Sequence, residues 1–391
     1  MPSYTIAFRN TINEDLIRGF TRNMLRPLDF PESAATPPLP GSESFVLLPE
    51  IGAALADIAD PDIVTALRAH PSVLVVAPVV PLRLPRTADT LRDALPDESN
   101  GYSWNLTALG IPEAHAAGLD GTGVRVALLD DGLNGLHPDF AQRQRQIAFA
   151  PPFNGDSTSN TDVAFHGTEV GGVIFGPPAP VEGPRYGIAP GCSLYVARIA
   201  SGSRGGSDTL LAGINWAISN RCRVINMSCE LALTPETASQ VALQFAGVQR
   251  KASQGDVLLV GAAGNDAQDQ DTGIGLPAAL PRCFCVAATT ASLVPHPRSK
   301  NAVSAVGGEI NLSAPGEGVY TSTSLPASGA TARYRRAGLT SIAAPQVTGI
   351  AVLLLGQRQR SLAQLWADLE GHARTLDRCA VGQCGFGLAH I

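Results

Sequence analysis

From residue 124 onward, apolar runs of strand length recur with helical stretches between them: Val124–Leu129, Leu194–Ile199, Val224–Met227, Val257–Ala262 and Cys283–Ala288. Strands separated in this way cannot close as hairpins, because each crossover returns the chain to the same end of the sheet. The pattern therefore predicts an α/β fold, a doubly wound and mostly parallel sheet flanked by helices. In such a sheet ligand-binding and catalytic groups collect at the carboxyl ends of the strands, so the residues that follow the runs are the candidates for chemistry.

A smaller unit precedes this sheet. Tyr4, Ile6 and Phe8 alternate as a strand, Asn13 to Met24 reads as a helix, and Phe45–Leu48 reads as a second strand, with a Pro- and Ser-rich loop over Arg26–Ser44. Asp60-Pro61 has the form of an N-cap followed by proline at the first helical position, opening a helix that shares Ile63, Val64 and Leu67 on one face and stops at His70-Pro71. With a strand at Val73–Ala77, residues 1–84 form a small α+β, ferredoxin-like domain. Residues 85–103 turn polar and charged and read as a linker open to cleavage. Residues 104–391 carry the large domain.

Composition narrows the function classes. The chain of 391 residues carries a net charge of -6 and no run of Lys/Arg forms a basic stripe, so no nucleic-acid partner is expected. No apolar stretch approaches the roughly 18 residues of a membrane helix, and no membrane partner is expected. Met1 to Asn10 lacks a basic segment leading into an apolar core, so no secretory signal is seen and a cytoplasmic compartment is expected, non-standard export aside. The seven cysteines then read as reduced thiols, with a Cys379–Cys384 bridge mattering only in an exported protein. Their spacing matches no zinc site, so no metal is expected.

Four segments carry chemistry. An apolar strand ends in Asp130-Asp131-Gly132, and His166 opens Gly167-Thr168-Glu169 ahead of small residues. A buried strand runs into Gly264-Asn265, and Ser341 opens an apolar helix that continues through Ile350 and Leu353. Each alone has a plain structural explanation: a turn cap, a structural histidine, a left-handed turn residue, an N-cap serine. Together, in the order Asp, His, Asn, Ser, they are better explained by one catalytic constellation.

These segments resemble the subtilisin-like serine proteases. Asp130-Asp131-Gly132 with His137-Pro138-Asp139 is similar to the aspartate motif of that family, His166-Gly167-Thr168 to its histidine motif, and Thr340-Ser341-Ile342-Ala343-Ala344-Pro345 to its nucleophile motif. The resemblance spans about residues 104–391 and implies a serine endopeptidase acting on peptide or protein substrates through an acyl-enzyme. It implies a triad of Asp130, His166 and Ser341, with Asn265 as an oxyanion donor. It also implies that the N-terminal domain is propeptide-like, an intramolecular inhibitor and folding assistant of a zymogen that matures by self-cleavage in the linker. The alternative is a catalytically silent relative that binds peptides. An α/β-hydrolase esterase is excluded, because Ser341 lies in no G-x-S-x-G elbow and the triad order differs.

The resemblance further implies substrate-binding roles for Ser203, Arg204 and Gly205 along an edge strand, and for Ser228, Cys229, Glu230, Gly264 and Gly275 around the pocket for the residue before the scissile bond. Glu230 stands where the family has glycine, so it narrows that pocket, favours basic side chains there, or turns to solvent. Asp131 replaces the usual Thr or Ser, and a second carboxylate beside Asp130 is expected to move activity to the alkaline side. Gln346 and Leu339 also depart from the motif without a direct chemical role. Phe175 to Gly183 replaces the loop that binds calcium in many relatives, so no cofactor is expected at that site.

Overall fold

The computed structural model describes residues 3–10, 26–28, 44–84, 95–153, 165–201, 205–255, 257–265, 273–301, 306–324, 326–327, 330–331, 333–358 and 360–391. The helix expected over 13–24, most of the loop after it, and Ser203 and Arg204 lie outside the described residues.

The N-terminal domain is a five-stranded sheet of order β2-β3-β4-β1-β5, built from β1 (Ser3–Phe8), β2 (Arg26–Leu28), β3 (Ser44–Leu48), β4 (Ala53–Asp57) and β5 (Val73–Pro78). Strand β4 went unread in the sequence, because Ala53-Ala-Leu-Ala-Asp57 has weak strand propensity. It forms because β1 and β3 pair with it from both sides. The helix Pro61–Ala69 begins as expected: Asp60 accepts from the Asp62 amide at 2.9 Å, and Pro61 needs no donor at this position. A short segment, β6 (Leu82–Arg83), leaves this domain and enters the larger one.

The large domain holds a seven-stranded sheet of order β14-β13-β12-β10-β7-β9-β8, parallel at every pairing. Its strands are β7 (Arg125–Asp130), β8 (Ile147–Phe149), β9 (Ser193–Arg198), β10 (Val224–Met227), β12 (Leu258–Ala262), β13 (Cys283–Thr289) and β14 (Leu312–Pro315), with a short strand β11 (Glu230–Leu231) outside the sheet. The sheet is covered on both faces, which is why its strands are apolar throughout rather than alternating. Val126, Leu128, Val224, Leu258 and Val260 pack into the core on one face. Their neighbours Ala127, Leu129, Ile225, Met227 and Leu259 pack into the core on the other, the period-2 rule of a strand applied to two cores.

On the first face lie two helices, His166–Phe175 and Thr340–Gln357, packed against each other. The second of these corrects the expectation that no apolar stretch nears membrane-spanning length. By length and composition it could cross a membrane, yet 83% of it is buried inside the fold. Its apolarity on all sides is that of a central core helix. On the second face, helices Ser207–Ser219 and Ala246–Ser253 share one hydrophobic core with Leu48, Ile51 and Ala53 of the N-terminal domain. That docking is close: a Cβ on Gly247 would stand 1.5 Å from the Ile51 carbonyl oxygen, so only glycine admits the Pro49–Ile51 turn.

Candidate active site

Asp130 ends β7 and is fully buried; His166 is the first residue of its helix. The imidazole Nδ1 stands 2.8 Å from Asp130 Oδ1. A carboxylate can only accept, so Nδ1 carries the proton and the lone pair of the neutral ring is on Nε2. The approach depends on Gly167, where a Cβ would fall 2.0 Å from the Gly132 carbonyl oxygen.

Asp131 is part of the same assembly. Its Oδ1 accepts from the Gly167 amide at 2.7 Å and its Oδ2 from the His166 amide at 3.3 Å, so it caps the helix that carries the imidazole. Burial first, and then the charge of Asp130, push the Asp131 carboxyl up to about 7. At His166 burial opposes the charged form, but Asp130, Asp131 and Glu169 outweigh it and raise the imidazole to about 9.

Ser341 lies in the first turn of Thr340–Gln357 and is fully buried. Pro345 lies inside that helix and has no N–H to donate to the carbonyl four residues earlier, that of Ser341. The hydroxyl of Ser228 takes that place, donating to the Ser341 carbonyl at 2.9 Å. Asn226 Nδ2 donates to Ser228 Oγ at 3.0 Å, and Thr348 Oγ1 donates to Asn226 Oδ1 at 2.9 Å, so the network runs back into the same helix. The backbone entering the helix is strained: Leu339, fully buried, has φ 75° and ψ -177°, a region nearly exclusive to glycine.

Asn265 follows the end of β12 and is buried. Its Oδ1 accepts from the Thr340 amide at 3.0 Å and from Thr340 Oγ1 at 2.7 Å. A backbone N–H can only donate, so that end of the side chain must be the carbonyl oxygen, and the amide Nδ2 is directed the other way. Thr340 carried no expectation from the sequence beyond its place in the motif; it is the clamp that orients Asn265.

Ser341 Oγ and His166 Nε2 are both buried and neither makes a hydrogen bond. Such bonds are often long in a resting site and tighten when substrate is bound. The segment that follows β5 pairs with the large domain close in sequence to Ser228, whose hydroxyl bonds the Ser341 carbonyl. Val80 to Arg83 runs as an extended strand between two edges of the large domain. On one side the Leu82 amide donates to Gly205 O at 3.0 Å and the Ser207 amide to Val80 O at 2.9 Å. On the other, Arg83 pairs with Glu230 and Leu82 with Leu231, and the Ala232 amide donates to Pro81 O at 2.8 Å. Gly205 therefore lies on an edge that pairs with the chain's own segment.

A family model described as the subtilase family of peptidases matches residues 121–372. The chain belongs to the subtilase family. Among relatives, Subtilisin E of Bacillus subtilis (strain 168) is 31% identical over 256 residues, 65% of this chain and 61% of that protein. The Thermostable alkaline protease of Halalkalibacterium halodurans is 33% identical over 260 residues, 66% of this chain and 63% of that one. The Minor extracellular protease Epr of Bacillus subtilis is 30% identical over 349 residues, 86% of this chain and 48% of its own length. This subtilase thus spans less than two thirds of the length of those relatives.

Two expectations are corrected. The cytoplasmic compartment does not hold, since the relatives of this subtilase are subtilisins and one is an extracellular protease by name. The cysteines are not all reduced either: Cys379 and Cys384 form a disulfide with Cα atoms 6.1 Å apart, and the other five are free and buried. Among the described residues no three His, Cys, Asp or Glu side chains are grouped to hold a metal ion.

Glu230 does not turn to solvent. Its Oε1 stands 2.6 Å from the ammonium of Lys300, whose side chain is only 6% exposed. No motif marks Lys300, and sequence reasoning missed it. Cys229 is buried beside Glu230, and burial pushes its thiol well up.

Proposed function

We propose that this subtilase is a serine endopeptidase that hydrolyses peptide bonds through an acyl-enzyme on Ser341, made as a zymogen whose own N-terminal domain occupies the cleft. The observation that carries the reading is the pairing of Asp130 with His166 Nδ1, which leaves His166 Nε2, like Ser341 Oγ, buried and without a hydrogen bond. Unpaired buried polar atoms are costly unless a function uses them.

In this reading Ser341 Oγ attacks the scissile carbonyl carbon while its proton passes to His166 Nε2. Asp130 holds the ring in the required tautomer and stabilises the imidazolium. The negative charge on the tetrahedral intermediate falls on the former carbonyl oxygen, where Asn265 Nδ2 and the Ser341 amide at its helix N-terminus donate to it. His166 then gives its proton to the leaving amine, the C–N bond breaks, and water repeats the sequence on the ester. The main chain of the substrate takes the strand position that Val80–Arg83 occupies, paired with Gly205 and Glu230, which is why that segment excludes substrate while it is in place.

A fluorophosphonate probe on the purified chain, followed by casein digestion, tests the reading. Covalent labelling of Ser341, lost in Ser341→Ala together with casein cleavage, is expected. Peptide binding without labelling or cleavage favours a silent relative and overturns the proposal.

A further inference from the structure

We infer that the Glu230–Lys300 ion pair fills the pocket for the side chain preceding the scissile bond, and so confines cleavage to positions after glycine, alanine or serine. The inference rests on the endopeptidase reading above and specifies its substrate.

The position of the pocket follows from the contacts around Ser341. Ser228, bonded to the Ser341 carbonyl, lies two residues before Glu230, and the Gly264 amide donates to Thr340 Oγ1 at 3.2 Å. The ends of β10 and β12 therefore form two walls directly beside the nucleophile. The Leu231 amide donates to Leu276 O at 2.8 Å and brings Gly275 up as a third wall.

The side chain of Glu230 occupies the space between these walls. A Cβ on Gly275 would come 2.2 Å from Glu230 Oε1 and 2.5 Å from its Cγ, so the glutamate stem lies flat against this glycine. A Cβ on Gly264 would come 2.7 Å from Lys300 Cδ and 3.2 Å from Glu230 Oε2. The Lys300 amide also donates to Gly264 O at 3.0 Å, which anchors the lysine to the wall that bears Asn265. Carboxylate and ammonium thus meet between the two glycines, where an incoming side chain would have to lie.

Size and charge then point the same way. A leucine or phenylalanine would have to displace a partly buried ion pair and separate its charges, which is unfavourable. An arginine or lysine would find the carboxylate already bonded at 2.6 Å and would bring a second cation beside Lys300. Of the readings open for Glu230 in the sequence, the contacts favour a narrowed pocket over one that selects basic residues. A methyl or hydroxymethyl group requires no displacement.

The test digests a defined peptide mixture with the full chain and reads the residue before every cut by mass spectrometry. Glycine, alanine and serine are expected to dominate for the unaltered protein. Glu230→Gly/Lys300→Ser, which removes both members of the ion pair, is expected to raise cutting after leucine and phenylalanine by about a hundred-fold or more relative to alanine. Glu230→Gln keeps the volume and is expected to keep the small-residue profile, a check that holds even if the double variant fails to fold. Cutting by the unaltered chain after phenylalanine, leucine or arginine as often as after alanine overturns the inference alone. An unchanged profile in the folded double variant, or a Gln variant that admits bulky residues, does the same. Absence of any cutting by the unaltered chain, with Ser341 unlabelled by the fluorophosphonate, overturns the endopeptidase reading and the inference with it.

Discussion

The hydroxyl of Ser228 donates to the main-chain carbonyl of Ser341 at 2.9 Å, the carbonyl that Pro345 leaves without its helical partner. A side chain at the end of one strand thus completes the first turn of the helix that carries Ser341.

Ser228→Ala leaves that buried carbonyl unsatisfied, at an expected cost of about 1–3 kcal/mol. Urea unfolding in a Ser341→Ala background, where self-digestion cannot interfere, measures it. No change in the midpoint would show that water or a neighbour replaces the hydroxyl without penalty.

Asn265→Ala is expected to lower kcat by roughly 10²–10³ with little change in KM, the effect of removing one side-chain donor to an oxyanion. Steady-state kinetics on a chromogenic peptide decide it. A loss of tenfold or less would remove Asn265 from that role.

The charge around His166 sets the pH dependence. In the proposed mechanism the imidazole must be neutral to take the Ser341 proton, and its carboxylate neighbours raise it to about 9. The neutral fraction therefore grows as pH rises toward that value, and kcat/KM is expected to climb from neutral pH into the alkaline range. Asp131→Ser removes one of the raising charges, so the rising limb should move to lower pH. A pH–rate profile identical in the two proteins would show that Asp131 does not act on the imidazole.

At Leu339 the expectation runs against the usual ranking of substitutions. Its backbone, at φ 75° and ψ -177°, carries about 1–3 kcal/mol of strain that only glycine escapes. Leu339→Ala keeps the strain and loses a buried side chain, for about 2–5 kcal/mol. Leu339→Gly loses the same packing but relieves the backbone, so it should be the milder of the two. The same unfolding assay in the Ser341→Ala background compares them, and a more stable alanine variant would contradict the strain.

Leu82→Pro removes the amide that donates to Gly205 O. The intact variant chain should label with a fluorophosphonate faster than the unaltered chain. Equal rates would mean that this segment does not limit access to Ser341.

Much of this was legible in the sequence because it depends on local order. The buried strands read as continuous apolar runs, Asp60-Pro61 announced a helix start, and the motifs around Asp130, His166 and Ser341 led to the family. What stayed hidden was what the chain does only when paired. Ala53–Asp57 is a strand because its neighbours make it one, β8 is too short to stand out, and β14, Leu-Ser-Ala-Pro, is no continuous apolar run. The 18-residue apolar helix went unread for its length, because a proline and a glycine interrupt its pattern.

Residue types and their order fixed the sheet, the family and the identity of the candidate catalytic groups, since each is written in short stretches whose chemistry is local. Only the tertiary structure decided which way Asn265 points, what caps the His166 helix, and that Glu230 meets Lys300 seventy residues away. Those are contacts between distant segments, and a chain encodes them in no window of neighbouring residues. They exist only once the packed strands have brought the segments within hydrogen-bonding distance.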